Sequence, residues 1–157
     1  MTTAFGTIKA AAKHMPHGGS VVLLSSVAAR VGLANHEAIA AAKAGVVGLD
    51  LSVAATYVGR DLRVNAVAPG LVQTPMTESV TRSETARQAS VDLHPLGRLG
   101  EPADVAAMIE WLLDPANAGS PTRTRPACFV ATLAGGDVRE ARFERAAGYD
   151  QRSSANG

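Results

Sequence analysis

Arg63-Val64-Asn65-Ala66-Val67-Ala68-Pro69-Gly70-Leu71-Val72-Gln73-Thr74-Pro75-Met76 is the stretch on which the fold reading turns. Arg63 to Ala68 predicts a strand. Pro69-Gly70 ends it, since proline brings no N–H to a ladder and the pair favours a turn. A few residues on, Thr74-Pro75 has the form of a helix start, with threonine as N-cap and proline at the first helical position. A strand that stops in a short loop and yields to a helix is one step of an α/β series.

Working back towards the N-terminus, His36 to about Val58 predicts a long helix, with Asn35 as its N-cap and Glu37 near its positive end. Ala40, Ala44 and Gly48 form a ridge of small residues on it, and Ile39, Val46, Val53 and Tyr57 mark a bulkier face. Before it, Ser20-Val21-Val22-Leu23-Leu24-Ser25 is a short apolar run, which suits a strand covered on both faces as in a parallel sheet. Earlier still, Phe5, Ile8, Ala12 and Met15 recur at helical spacing over Thr3 to Met15, and Pro16 with Gly18-Gly19 stops that helix. Towards the C-terminus, Pro95 to Pro102 is a turn-rich connector, and Ala103 to Leu113 reads as an amphipathic helix.

Beyond Pro115 the character changes. Arginines at 123, 125, 139, 142, 145 and 152 mix with Asp137, Glu140, Glu144 and Asp150. Only Ala127 to Leu133 has the make-up of a strand there. Residues 1–118 are therefore expected to form one α/β unit with a parallel sheet, and 119–157 a divergent, solvated and poorly ordered tail. A sheet of two or three strands would be thin and would leave exposed edges.

The bulk numbers narrow the function classes. The chain has 157 residues, 46% of them hydrophobic, and a net charge of +1. That content can fill a core, and that charge draws the protein to neither nucleic acid nor membrane. The arginines of the tail lack the aromatic interleaving of a nucleic-acid module. A single cysteine, Cys128, leaves no disulfide framework and no cysteine-built metal site, which fits a reducing cytoplasm. Each apolar run is interrupted by Arg, Lys, Asp or Pro, so no membrane span is expected. The first residues do not form a signal peptide and read as though the chain starts inside a helix.

Three segments together resemble the short-chain dehydrogenase/reductase family: Leu24-Ser25-Ser26-Val27-Ala28, Lys43-Ala44-Gly45-Val46, and the opening stretch Arg63 to Met76. The connector Pro95 to Glu101 and the helix after it fit too, so about the first three quarters of the chain is covered. The resemblance implies a doubly wound parallel sheet binding NAD or NADP, and an oxidoreductase acting on an alcohol or carbonyl. In that family a serine, a tyrosine thirteen residues later and a lysine four beyond it form the catalytic core. Ser26 and Lys43 fall in register, and the tyrosine position is Ile39. Isoleucine can do neither acid nor base work. His36, three residues earlier, is the available substitute proton donor. By the same resemblance Lys43 binds the nicotinamide ribose, the loop of Pro69 and Gly70 passes under the nicotinamide, and Val72 and Thr74 offer polar groups to its carboxamide. Thr74 is equally read as a pure helix cap.

The family's glycine-rich phosphate turn has no counterpart here, since Gly18-Gly19 and Gly135-Gly136 lack both spacing and context. The resemblance therefore implies the C-terminal part of a partial Rossmann-type sheet, with the N-terminal half outside these residues and cofactor binding by them alone doubtful. Three readings stay open: an impaired oxidoreductase, a non-catalytic partner of a full-length relative associating through helices 3–15 and 36–58, or a truncated gene product. Homo-oligomerisation through the same helices is part of the expectation.

Overall fold

The computed structural model describes residues 1–94, 96–119, 129–133 and 142–145. Its helices and strands are α1 (Thr2–His14), β1 (Gly19–Leu24), α2 (Glu37–Tyr57), β2 (Leu62–Pro69), α3 (Glu78–Thr81), α4 (Glu84–Asp92), α5 (Pro102–Leu113), β3 (Phe129–Leu133) and β4 (Arg142–Arg145). Single 3₁₀ turns lie at Val27–Ala29, Val58–Arg60 and Pro75–Thr77, and a longer one at Pro115–Gly119. The sheet runs β1-β2-β3-β4. β1 and β2 pair in parallel from Gly19 opposite Leu62 to Leu24 opposite Val67. β3 joins β2 in parallel, and β4 turns back antiparallel to β3. The α/β class and the parallel sheet are as the sequence implied.

Side-chain alternation along β2 explains why the sheet carries helices on both faces. Val64, with Val21 and Leu23 of β1, packs against Ile8 and Ala11 of α1 and Val46 and Val53 of α2. One residue out of phase, Val67 packs against Met108 and Leu112 of α5, with Val22 of β1 alongside. Ala66, Val67, Ala68 and Met108 are all completely buried, so β2 is the centre of the molecule. Ser20 adds a polar tie on the α5 side, its hydroxyl donating to the Leu112 carbonyl at 2.9 Å.

The start of β1 depends on a close backbone approach. Gly18 has φ of 92°, and a Cβ there would lie 2.8 Å from the Asp61 carbonyl oxygen. Only glycine satisfies both conditions. The Gly19 N–H then donates to that same carbonyl at 3.2 Å, setting the register of β1 on β2.

Three differences from the sequence reading have physical causes. Asn35 does not cap α2. It sits in the left-handed region at φ 60°, and the first helical bond runs from the Ala40 N–H to the His36 carbonyl, so the cap falls on His36. Asparagine tolerates left-handed backbone, which serves the turn before the helix. Secondly, α2 is long and apolar enough, by length and composition, to cross a membrane, with a mean hydropathy of 1.6. Packing on the sheet covers only part of that apolar content: Val46, Val53 and Ala54 are buried, but just 22% of the apolar window lies inside the fold. Thirdly, the segment after 119 supplies two strands. β3 falls inside the predicted Ala127 to Leu133, whereas β4 was not foreseen. The poor order expected for the rest of that segment concerns residues outside the described ones.

Candidate active site

β1 stops at Leu24, yet pairing with β2 continues one step further: the Ser25 N–H donates to the Val67 carbonyl at 2.7 Å. Ser25 is thus fixed at the sheet's end and is only 4% exposed. Its hydroxyl donates to the backbone carbonyl of Lys43 at 2.9 Å. In the opposite direction the Lys43 Nζ donates to the Leu24 carbonyl, also at 2.9 Å. Two bonds therefore join one residue of α2 to the end of β1. An ammonium carries three donors, so two of the three at Nζ remain for a ligand.

Ser26 follows directly. Its backbone is extended, and its side-chain oxygen accepts from the Ala28 N–H at 3.2 Å, capping the turn Val27–Ala29. The hydroxyl proton is left to donate outwards. Ile39 lies one helical turn before Lys43, on the same side of α2, and its side chain is 47% exposed. The position opens on solvent and is not required for the core. His36 stands outside the helix as its cap, exposed, with Nδ1 2.7 Å from the Ala34 carbonyl.

The loop after β2 forms the other side of this edge. The Gly100 N–H donates to the Leu71 carbonyl at 3.0 Å and the Gln73 N–H to the Gly100 carbonyl at 2.9 Å. This makes a parallel bridge between Val72 and Gly100. In such a bridge the backbone groups of Val72 itself point to the opposite side. Its carbonyl accepts from the Thr77 hydroxyl at 2.6 Å. Its N–H carries no hydrogen bond within the described residues. Thr74 and Thr77 form a reciprocal capping box around the turn Pro75–Thr77. The Thr74 N–H donates to the Thr77 hydroxyl at 3.0 Å, and the two hydroxyls lie 3.1 Å apart. Pro69 and Gly70 are half-buried between strand and loop.

Behind the loop, Arg98 forks onto Asp104 with bonds of 2.8 and 3.0 Å. Asp104 also accepts from the Glu101 N–H at 2.8 Å, boxing the start of α5. The Arg98 fork, aided by that backbone bond, holds the Asp104 carboxyl below its ordinary range. Among the described residues no group of three or more His, Cys, Asp or Glu could hold a metal ion.

Serine, lysine and a turn-bounded loop thus meet at the C-terminal edge of adjacent parallel strands, where open α/β sheets bind their ligands. The family model described as enoyl-(acyl carrier protein) reductase matches residues 1–120. The chain belongs to the short-chain dehydrogenase/reductase family. Among its relatives, a 3-oxoacyl-[acyl-carrier-protein] reductase of Thermotoga maritima is 46% identical over 94 residues, covering 60% of this chain and 37% of that protein. A short-chain type dehydrogenase/reductase from Mycobacterium ulcerans superposes with a TM-score of 0.72 at 32% identity, over 75% of this chain and 44% of that one. A candidate 2-deoxy-d-gluconate 3-dehydrogenase from Agrobacterium tumefaciens, solved with bound NADP, gives a TM-score of 0.70 at 30% identity, over 74% and 48% of the two chains. The chain spans less than half the length of each.

The candidate site in this short-chain dehydrogenase/reductase family member includes residues that the sequence reading passed over. Ser25, beside the serine singled out, is the one that grips Lys43. Thr77 supports Val72, and the Thr74-x-x-Thr77 spacing was the available signal. His94, from beyond α4, reaches the Leu71 N–H at 3.1 Å. Nothing local marks that contact, which spans 23 positions.

Proposed function

We propose that these residues form the nicotinamide and proton-transfer side of an NAD(P)-dependent oxidoreductase acting on an alcohol or carbonyl, in which Ile39 has removed the acid–base group. The observation that carries this reading is the double tie of Lys43 to Leu24 and Ser25, with Ser26 next in sequence and Ile39 one turn away on the same face.

The groups present suit a dinucleotide's nicotinamide end. The Val72 N–H, without a protein acceptor among the described residues and directed away from Gly100, suits a carboxamide oxygen. The two remaining donors on Nζ of Lys43 suit the hydroxyls of a ribose. The cofactor, when bound, supplies or accepts the hydride. Ser26 donates its hydroxyl proton as a hydrogen bond to the substrate oxygen and so holds the carbon in place. The ammonium of Lys43 favours negative charge developing on that oxygen. No group at position 39 can pass it a proton, and general acid–base help is worth about 10²–10⁴-fold. His36, bonded to the Ala34 carbonyl and capping α2, keeps only its Nε2 for such a role.

A second reading, a non-catalytic relative that binds without turning over, is favoured by Ile39 itself. One experiment separates the two. NADH and NADPH binding is followed by cofactor fluorescence, and ketone reduction is compared for the native chain and Ile39→Tyr. The oxidoreductase reading expects saturable binding and a rate gain towards about 10²–10⁴-fold in the variant. Saturable binding without any gain would point to the non-catalytic reading. Absence of binding at any concentration would sink the cofactor assignment.

A further inference from the structure

We propose that His94 is a positioning residue for the loop Pro69–Thr74, holding it by a hydrogen bond that only the neutral imidazole can make, so that loop geometry follows the protonation of this one side chain. The chain leaves α4 in a further turn, with the His94 N–H donating to the Val91 carbonyl at 2.8 Å. The ring Nδ1 lies 2.6 Å from the Ser90 carbonyl. A carbonyl can only accept, so Nδ1 carries the proton. Nε2 is then a lone pair, and the Leu71 N–H donates to it at 3.1 Å. Both ring nitrogens are committed to backbone, and turning the ring over would lose both bonds.

Gly70 supports the same reading. A Cβ at that position would collide with Nε2 of His94, so the imidazole lies directly on the loop backbone. The peptide of Leu71 is held from two sides: its N–H by His94 and its carbonyl by the Gly100 N–H. Only the first tie is sensitive to protons. An imidazolium has two donors and no acceptor, and would set N–H against N–H.

The charged groups on the surrounding elements are engaged elsewhere. Pro69–Thr74 carries no titratable side chain. On α4, Arg87 forks onto Glu84, and Asp92 accepts from Gln88. In the connector, Arg98 forks onto Asp104, and Glu101 takes part in the cap of α5. At α3, which packs against α4, Arg82 pairs with Glu78, and none of these bonds reaches the imidazole.

The consequence for ligand binding rests on the cofactor reading above. Val72, which presents the open N–H, is the residue after Leu71. Releasing Leu71 therefore loosens the aim of that donor. Acidification that protonates His94 should weaken nicotinamide binding roughly two- to tenfold, the worth of one net hydrogen bond.

The test is magnetic resonance on the ¹⁵N-labelled chain. The N–H···N bond predicts a through-bond coupling between the Leu71 nitrogen and Nε2 of His94. That coupling should be lost on acidification, and the Leu71 and Val72 amide signals should shift with the same midpoint as the His94 ring. In His94→Gln, whose amide oxygen can accept without titrating, both amides should become indifferent to pH while the fold persists. Absence of the coupling, or amides that ignore the His94 titration, would overturn the inference. NADH titrations at the two ends of the pH range form the second arm. PH-dependent amides with NADH binding weakened in acid support the whole proposal. PH-dependent amides with no NADH binding at either end support the latch and overturn the cofactor reading instead.

Discussion

Replacing Ser25 with alanine tests the joint on which the candidate site stands. The hydroxyl is buried, with Ser25 4% exposed, and donates at 2.9 Å to a carbonyl inside α2. Ser25→Ala removes the donor altogether and leaves no orphaned polar group on residue 25. The Lys43 carbonyl keeps its place in the helical ladder. The cost is therefore that of one net hydrogen bond, about 0.5–1.5 kcal/mol, and not the larger penalty of a stranded buried group. For a chain of this size that lowers Tm by roughly 1–6 °C. Urea denaturation should show the loss as a lower midpoint with an unchanged slope, because the exposed surface hardly changes. The companion Lys43→Met removes the reverse bond from Nζ to the Leu24 carbonyl. Both bonds span the same two elements, so the double variant should depart from additivity by about 0.5 kcal/mol or more. Two results would refute the reasoning: additivity within about 0.3 kcal/mol, or a Ser25→Ala loss above about 3 kcal/mol, which would mean that a buried group had been stranded.

Two further outcomes follow from the α5 side. Met108 is completely buried against Val67 and Leu112, and Met108→Ala should cost about 2–5 kcal/mol in the same denaturation assay. A loss below about 1 kcal/mol would show that this side of the sheet collapses to fill the gap. The Arg98 fork holds Asp104 below the ordinary carboxylate range. With its folded value depressed, the carboxylate contributes stability that is present above its unfolded value and lost as pH falls through the folded one. The native chain should thus be more stable than Asp104→Asn at neutral pH, and the difference should fade on acidification below about pH 4. A difference that persists unchanged into acid would show that the pair acts only through packing.

The elements most legible in the sequence were those specified by neighbouring residues. The extents of β1, β2, α1 and α5 were anticipated to within a residue or two, because apolar periodicity, glycine and proline act locally. Thr74-Pro75 likewise announced its own cap. The start of α2 was less legible. Asn35 suits both an N-cap and a left-handed turn, and only the path of the chain from Ser26 to Glu37 decides between them. β4 was missed because Arg142–Arg145 carries no apolar alternation, and its pairing depends on β3 being beside it.

The candidate site divides in the same way. The spacing of Ser26, Ile39 and Lys43 is a property of the sequence. So is the absence of a proton-donating side chain at position 39, since side-chain chemistry does not depend on the fold. Only the tertiary structure decided that Lys43 is gripped by Ser25 and Leu24, eighteen and nineteen positions away, and that His94 closes onto Leu71. It also decided that β2 presents Val64 to α1 and α2 but Val67 to α5. These contacts join residues that share no turn of helix or strand. Their geometry exists only once β1 and β2 are in register, so no local pattern of side chains can encode it.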